Sequence, residues 1–379
     1  MPESRGVGLR IEGAVKRYGE VAALDGVSVD VRAGEFLTLL GPSGSGKTTM
    51  LNAIAGFTDL SEGEIYLDGA PIAPIPTHRR NIGVIFQNYA LFPHMTAAAN
   101  VAYPLKQRGL SRGERERRVA EALELVGLGD IGHRRPRELS GGQQQRVAFA
   151  RAIVFNPRLL LMDEPLGALD RKLRESLQRE IKSIHRDLGI TFVYVTHDQS
   201  EALALSDRIA VFRLGRIEQV GTPEDLYERP ANRFVAEFMG ESNVLSGRVA
   251  EAGDGPRFHA EDLERPLALP GARPAGSCCY VIRPQSIRLA GAGGELDEEL
   301  RGTVADVSYL GASRRIAISH AGLTFFVRQD AAAAPAPALG EEVVFGWRRE
   351  DALLVPDASA GVPETGREEG INAIVQQSY

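Results

Sequence analysis

The stretch GPSGSGKTT, Gly41 to Thr49, decides the fold of this chain. Gly41, Gly44 and Gly46 permit a tight turn whose N–H groups converge on an anion, Lys47 adds a mobile positive charge, and Thr48 offers a hydroxyl to Mg²⁺. The spacing G-x-x-x-x-G-K-T is complete, so Gly41, Pro42, Ser43, Gly44, Ser45, Gly46, Lys47, Thr48 and Thr49 read as one loop around nucleotide phosphates. The flanks agree with that reading. EFLTLL (Glu35 to Leu40) reads as a buried strand, and Met50 to Ala55 continues as a helix whose N-terminal dipole favours an anion. A glycine-rich turn with an incidental lysine would need neither flank.

Outward from the loop, residues 8–240 alternate short apolar runs with helical stretches, the pattern of a layered α/β domain. Buried strands are expected at Phe36 to Leu40, Ile82 to Phe86, Leu159 to Met162, Thr191 to Thr196 and Arg208 to Phe212. Between Asn88 and Arg158 the period turns helical. In Arg115 to Val126, for example, Val119, Ala122, Leu123 and Val126 share a face, which implies a helical subdomain over residues 88–158. From residue 241 the texture becomes β-rich and broken by Gly and Pro: Val244 to Ala250, Cys279 to Leu289, Arg301 to Leu310, Leu323 to Arg328 and Val343 to Trp347. A small all-β, barrel-like domain over residues 241–356 is expected, followed by a flexible polar tail over residues 357–379.

Composition narrows the function. The chain has 379 residues, 43% hydrophobic and 25% charged, with a net charge of 44 − 50 = −6, which argues against a surface that grips nucleic acid electrostatically. The arginine-rich run QRGLSRGERERR (Gln107 to Arg118) is interleaved with Glu114 and Glu116 and reads as a solvated helix face. The cysteines, Cys278 and Cys279, are adjacent, match no metal spacing and suit a reducing compartment. No apolar run reaches the roughly 18 residues of a membrane span, and MPESRGVGLR lacks the apolar core of a signal peptide. Membrane association is therefore expected only through a partner.

Further motifs carry chemistry. LLLMDEP (Leu159 to Pro165) is a strand delivering adjacent carboxylates at its C-terminal end, where open α/β sheets bind ligands. Asp163 is placed to hold Mg²⁺ alongside Thr48, and Glu164 to polarise a water attacking the γ-phosphate. LSGGQQQR (Leu139 to Arg146) sets Ser140 as a helix cap ahead of Gly141, Gly142 and Gln143, and the helix that follows buries Val147, Ala150 and Val154. That is a second helix end suited to an anion.

In this order, phosphate loop, then Leu-Ser-Gly-Gly-Gln, then Asp-Glu, residues 8–240 resemble the nucleotide-binding subunit of an ATP-binding cassette (ABC) transporter. The resemblance implies a P-loop NTPase fold, ATP hydrolysis and Mg²⁺. It implies that Tyr18, in KRYG, stacks on adenine, and that Gln87, in IFQNYALFPHMT, senses Mg²⁺ and the attacking water while linking the site to a transmembrane partner. His197, in VYVTHDQ, would contact the γ-phosphate, and Asp170, in LGALD, would couple the two sites of a dimer. Ser140, Gly141, Gly142 and Gln143 would act in trans, closing on the ATP held by Lys47 of a second copy in a head-to-tail homodimer. Gly167 stands where many cassettes have serine, a variation common in importer-type members.

The run Asp207 to Asn243 resembles the close of importer cassettes that carry a C-terminal regulatory β domain of OB/TOBE type. CYVIRPQSIRLA (Cys279 to Ala290) and WRREDALLV (Trp347 to Val355) resemble pieces of that domain, with Gln285 where glutamate is frequent. QNYALFPHMT and AEFMGESN are nearest in wording to the spermidine/putrescine importer ATPases; ferric-ion, sulfate/thiosulfate, phosphonate and sugar importer ATPases are similar. The implied partners are a pair of transmembrane permease subunits and, indirectly, an extracytoplasmic solute-binding protein. The permeases would dock around Tyr89 to Tyr103, with Tyr89, Leu91, Phe92 and Met95 as anchors, at the cytoplasmic face of the cell membrane. Cassettes that act on nucleic acid or ribosomes would insert a long coiled coil or repeat the motif set, and this chain does neither. An inactive cassette would have lost Lys47, Glu164 or His197.

Overall fold

The computed structural model describes residues 5–167, 170–252, 255–271, 277–290, 295–333 and 335–357; Ala168, Leu169 and the tail expected beyond Asp357 lie outside the described residues. The chain divides into compact units up to Pro223 and from Glu224 onward.

The first unit runs β1 (Leu9–Tyr18), β2 (Val21–Val31), β3 (Phe36–Leu40), α1 (Lys47–Ala55), β4 (Glu62–Leu67), β5 (Ala70–Pro71), β6 (Ile82–Ile85), α2 (Ala97–Gln107), α3 (Arg112–Leu125), α4 (Gly141–Ile153), β7 (Leu159–Asp163), α5 (Arg171–Leu188), β8 (Thr191–Thr196), α6 (Gln199–Leu205), β9 (Arg208–Arg213) and β10 (Arg216–Gly221). A six-stranded sheet has the order β10-β9-β3-β8-β7-β6, parallel except for β10 at its edge, and a four-stranded antiparallel sheet has the order β2-β1-β4-β5. Every residue of β3, β7 and β8 is buried, as expected of strands covered on both faces. One apolar cluster packs α1, through Met50, Leu51 and Ile54, between the two sheets. The other lies on the opposite face of the six-stranded sheet, where α2, α3 and α4 form the helical subdomain and α5 contributes Leu177, Ile181 and Ile184. Burying each of those three side chains stabilises by about 1.5–3 kcal/mol.

Three arginines of α3 are paired along its surface: Arg112 with Glu116 at 2.8 Å, Arg117 with Glu121 at 2.6 Å and Arg118 with Glu114 at 2.7 Å. Hydrogen bonds from Arg117 and Arg118 hold the Glu114 carboxyl down at about 2. No helix among the described residues is long and apolar enough to cross a membrane.

The short helices α7 (Pro223–Glu228) and α8 (Arg233–Phe238) lead into β11 (Asn243–Ala252), β12 (Gly255–Ala260), β13 (Leu267–Ala268), β14 (Cys278–Ile282), β15 (Arg288–Leu289), β16 (Glu298–Tyr309), β17 (Ser313–His320), β18 (Leu323–Asp330), β19 (Glu342–Trp347) and β20 (Ala352–Pro356). These strands form five-stranded antiparallel sheets, β13-β12-β11-β14-β20 and β15-β19-β16-β17-β18, around a core that includes Phe258, Tyr280, Phe325, Phe345 and Trp347. The single strand expected from Cys279 to Leu289 is instead β14 and β15 with a turn between them. Pro284 has no N–H for a ladder, and the Ser286 N–H bonds the Arg283 carbonyl at 3.0 Å. Cys278 and Cys279 are buried in β14, and burial, aided by Asp357, pushes the Cys279 thiol up to about 12.

The compact division falls at Pro223/Glu224, ahead of the 240/241 boundary read from the sequence. Arg283 supplies the reason. Its guanidinium donates to the Ala236 carbonyl at 2.8 Å and the Tyr227 carbonyl at 2.6 Å, so α7 and α8 are fastened to the β unit.

Candidate functional site

The phosphate loop leaves β3 and enters α1. Gly46 has φ 102°, and a Cβ there would lie 2.4 Å from the Ala23 carbonyl oxygen; at Gly41 a Cβ would lie 2.3 Å from that of Phe212. Only glycine fits either position. Gly46 is also the N-cap of α1 and has no side chain with which to cap it, so the orphan N–H groups of the first turn face the loop. The β1–β2 hairpin packs against this turn through Ala23, and Tyr18, half-buried with Lys16 Nζ 5.1 Å from its ring centroid, stands at the hairpin's end.

Lys47 is buried and donates to the Gly41 and Pro42 carbonyls at 2.8 and 2.7 Å. Burial pushes its ammonium down to about 8, opposed by the nearby Glu164 and Asp163 carboxylates. Asp163 ends β7 beside it and accepts from Thr48 Oγ1 at 3.1 Å. Burial raises the Asp163 carboxyl to about 6; the Thr48 hydrogen bond opposes the rise, Glu164 adds to it, and Lys47 opposes it. Among the described residues no cluster of three or more His, Cys, Asp or Glu side chains could by itself hold a metal. One carboxylate and one hydroxyl beside a phosphate-binding loop do suit Mg²⁺, which takes few protein ligands and completes its shell with phosphate oxygens and water.

Glu164 follows with φ 42°, a left-handed conformation, and its N–H donates to the Val195 carbonyl of β8 at 3.0 Å. The turn carries its carboxylate between side chains from neighbouring strand ends. His197 Nδ1 lies 3.1 Å from Oε1, and Gln87 Nε2 donates to Oε2 at 3.5 Å. The adjacent parallel strands β6, β7 and β8 thus bring together Gln87, Glu164 and His197, while Lys47, Thr48 and Asp163 meet below them. The arrangement has the chemistry to hold a phosphate and to present a carboxylate to a nucleophile.

The His197 loop has a buried support. Glu201 accepts from Tyr194 Oη at 2.7 Å and Thr196 Oγ1 at 2.8 Å, and Arg174 of α5 pairs with Asp198 at 3.1 Å. Asp170 N-caps α5, accepting from the Leu173 N–H at 3.0 Å. Ser140 caps α4 in a capping box: Gln143 N–H donates to Ser140 Oγ at 3.3 Å, and Ser140 N–H donates to Gln143 Oε1 at 3.0 Å. Ser140 and Gly141 are exposed and Gly142 is buried. No hydrogen bond or ion pair among the described residues joins residues 140–143 to residues 41–49.

Sequence reading missed several supports. Asn100 of α2 accepts from the Phe92 N–H at 2.8 Å and donates to the Phe92, Met95 and Thr96 carbonyls, shaping the segment after Gln87. Tyr89, expected as a docking anchor, is buried, with its hydroxyl donating to the Pro165 carbonyl at 3.4 Å. The exposed ring near Gln87 is Phe57, 5.6 Å from Phe86 between centroids. A single asparagine or arginine within a helix has no local pattern that would mark it.

Comparison with known proteins yields consistent matches. The ABC transporter family pattern matches residues 24–167 and the TOBE domain pattern residues 280–355. A spermidine/putrescine import ATP-binding protein PotA of Acidothermus cellulolyticus is 47% identical over 96% of this chain and 97% of its own. PotA 2 of Pseudomonas aeruginosa is 50% identical over 80% and 85%. An uncharacterized ABC transporter ATP-binding protein, YdcT of Escherichia coli, is 47% identical over 89% and 95%. Among solved structures, the ATP-binding cassette MJ0796, a dimer in a post-hydrolysis state bound to ADP and Pi, is 37% identical with a TM-score of 0.52, covering 56% of this chain and 98% of that one.

Proposed function

The chain belongs to the ABC transporter family of ATP-binding proteins, and from that premise we propose that it is the ATP-hydrolysing subunit of a polyamine importer. The observation that carries the cargo is the near full-length similarity to proteins named for spermidine/putrescine import.

In this reading the phosphate loop and Lys47 bind the ATP phosphates, and Tyr18 stacks on the adenine. Thr48, Asp163 and Gln87 would hold Mg²⁺, which when bound neutralises phosphate charge. Glu164 accepts the proton of the attacking water, and His197, held by the Glu201 network, is oriented toward the γ-phosphate. The exposed, capped end of α4, with Ser140, Gly141, Gly142 and Gln143, closes on the ATP of a second copy, and Asp170 couples the sites. The supporting observation is a helix end that presents an anion site yet bonds nothing in its own phosphate loop. ATP then joins the protomers and hydrolysis releases them, driving paired permeases at the cytoplasmic face of the membrane. The permeases dock beside Gln87, on Phe57, Leu91, Phe92 and Met95. The β unit serves as the regulatory domain.

The test is reconstitution with the cognate permeases and binding protein. ATPase stimulation by spermidine or putrescine is expected; stimulation instead by sulfate, ferric ion, phosphonate or a sugar would replace the cargo while keeping the ATPase.

A further inference from the structure

Beyond Gln87 the backbone turns through Tyr89 and Ala90, which have φ 60° and 45°. Neither is glycine, so consecutive L residues sit in a region that crowds their Cβ atoms. Local bonds, Tyr89 N–H to Phe86 O at 2.9 Å and Ala90 N–H to Asn88 O at 2.7 Å, close the turn without relieving that crowding. Both of its outward carbonyls meet the same side chain. Arg151 donates from Nη2 to Tyr89 O and from Nη1 to Ala90 O, each at 2.8 Å. A guanidinium is a rigid planar fork, so it accepts successive carbonyls only when the turn holds one shape. Arg151 lies in the last turn of α4, the helix that Ser140 caps, and its guanidinium is 5.7 Å from the Phe92 ring centroid. On the turn's other side, the Tyr89 hydroxyl reaches the Pro165 carbonyl, next to Glu164.

We propose that Arg151 is a positioning residue: it clamps the strained Tyr89–Ala90 turn and thereby ties the placement of Gln87 against Glu164 to the position of α4. The proposal rests on reading Gln87 as part of the nucleotide site. With the clamp in place, Gln87 Nε2 stays within 3.5 Å of the Glu164 carboxylate. Without it, the turn relaxes toward negative φ and carries Gln87 away. Movement of α4 with its capped end then reaches Gln87 through one side chain, and movement of the Gln87 segment reaches α4 the same way.

The test is steady-state ATP hydrolysis by the full-length protein. Arg151→Met keeps the apolar stem and removes the fork; kcat should fall at least about tenfold while KM for ATP moves less than about threefold, because the phosphate loop is untouched. Ala90→Gly alone should stay within about twofold of wild type, and added to Arg151→Met it should restore kcat at least about threefold, since glycine holds positive φ without crowding. Arg151→Lys, which lacks the planar fork, should fall between wild type and Arg151→Met. An unchanged kcat in Arg151→Met overturns the proposal. A loss that Ala90→Gly does not relieve also overturns it and makes Arg151 a packing residue. If thermal unfolding shows that Arg151→Met does not fold, Arg151→Lys with and without Ala90→Gly decides by the same comparison. Wild-type turnover that Glu164→Gln abolishes is the control that separates this result from failure of the ATPase assignment.

Discussion

His197 Nδ1 lies 3.1 Å from Glu164 Oε1, across the ends of the neighbouring parallel strands β7 and β8. Glu164 is also the only acidic side chain that Gln87 contacts among the hydrogen bonds of the described residues. In the proposed function this carboxylate is the general base, so Glu164→Gln should slow ATP turnover about 10²-fold or more while leaving ATP-driven dimerisation intact. Phosphate release and light scattering on one preparation check both parts. Turnover equal to wild type would remove Glu164 from the role.

The exposed Ser140 cap predicts complementation between defective copies. Lys47→Ala and Ser140→Arg should each be inactive alone, yet a mixture with exchanging subunits should regain about a quarter of wild-type activity, because half of the dimers then hold one intact composite site. A cis arrangement regains nothing. Activity of the mixed variants across mixing ratios distinguishes the two.

Burial pushes Lys47 down to about 8, so in the proposed role it should make ATP binding pH-dependent. Phosphate favours the charged ammonium, so binding takes up a proton above that value, and affinity should fall as pH rises past about 8. For stability the sign is opposite. The unfolded chain holds the Lys47 proton up to 10.5 whereas the folded chain releases it near 8, so this group's contribution to stability rises with pH between those values. Fluorescent-nucleotide titration in EDTA checks the first statement; affinity flat from pH 7 to about 9.5 would contradict the shifted lysine.

Phe57 is 51% exposed and pairs with Phe86 beside Gln87, so Phe57→Asp costs little packing. Basal hydrolysis should be unchanged within about twofold, with stability altered by less than about 1 kcal/mol, while stimulation by reconstituted permeases is lost. Phe92 is a poorer probe, because its ring packs 4.7 Å from Tyr103 and near the Arg151 guanidinium. Basal activity falling together with stimulation in Phe57→Asp would assign the ring to the fold and not to docking.

What the sequence determined by itself was local pattern. The glycine positions of residues 41–49, the Ser140 cap of α4, the wholly buried runs of β3, β7 and β8 and the apolar face of α3 depend on neighbours a few residues away. Their patterns therefore stand in the sequence. The tertiary structure decided what meets across the sheet. The order β3-β8-β7-β6 joins Gln87, Glu164 and His197, turns Tyr89 inward, and lets Arg151 reach a turn that is distant in sequence. Strand order and crossover packing set such contacts, and no periodicity records them. In the β unit, Pro284 interrupted an apolar run that otherwise read as a single strand, and Arg283 drew α7 and α8 to that unit. Local composition proposes a strand, but its boundary is set by which backbone groups find partners.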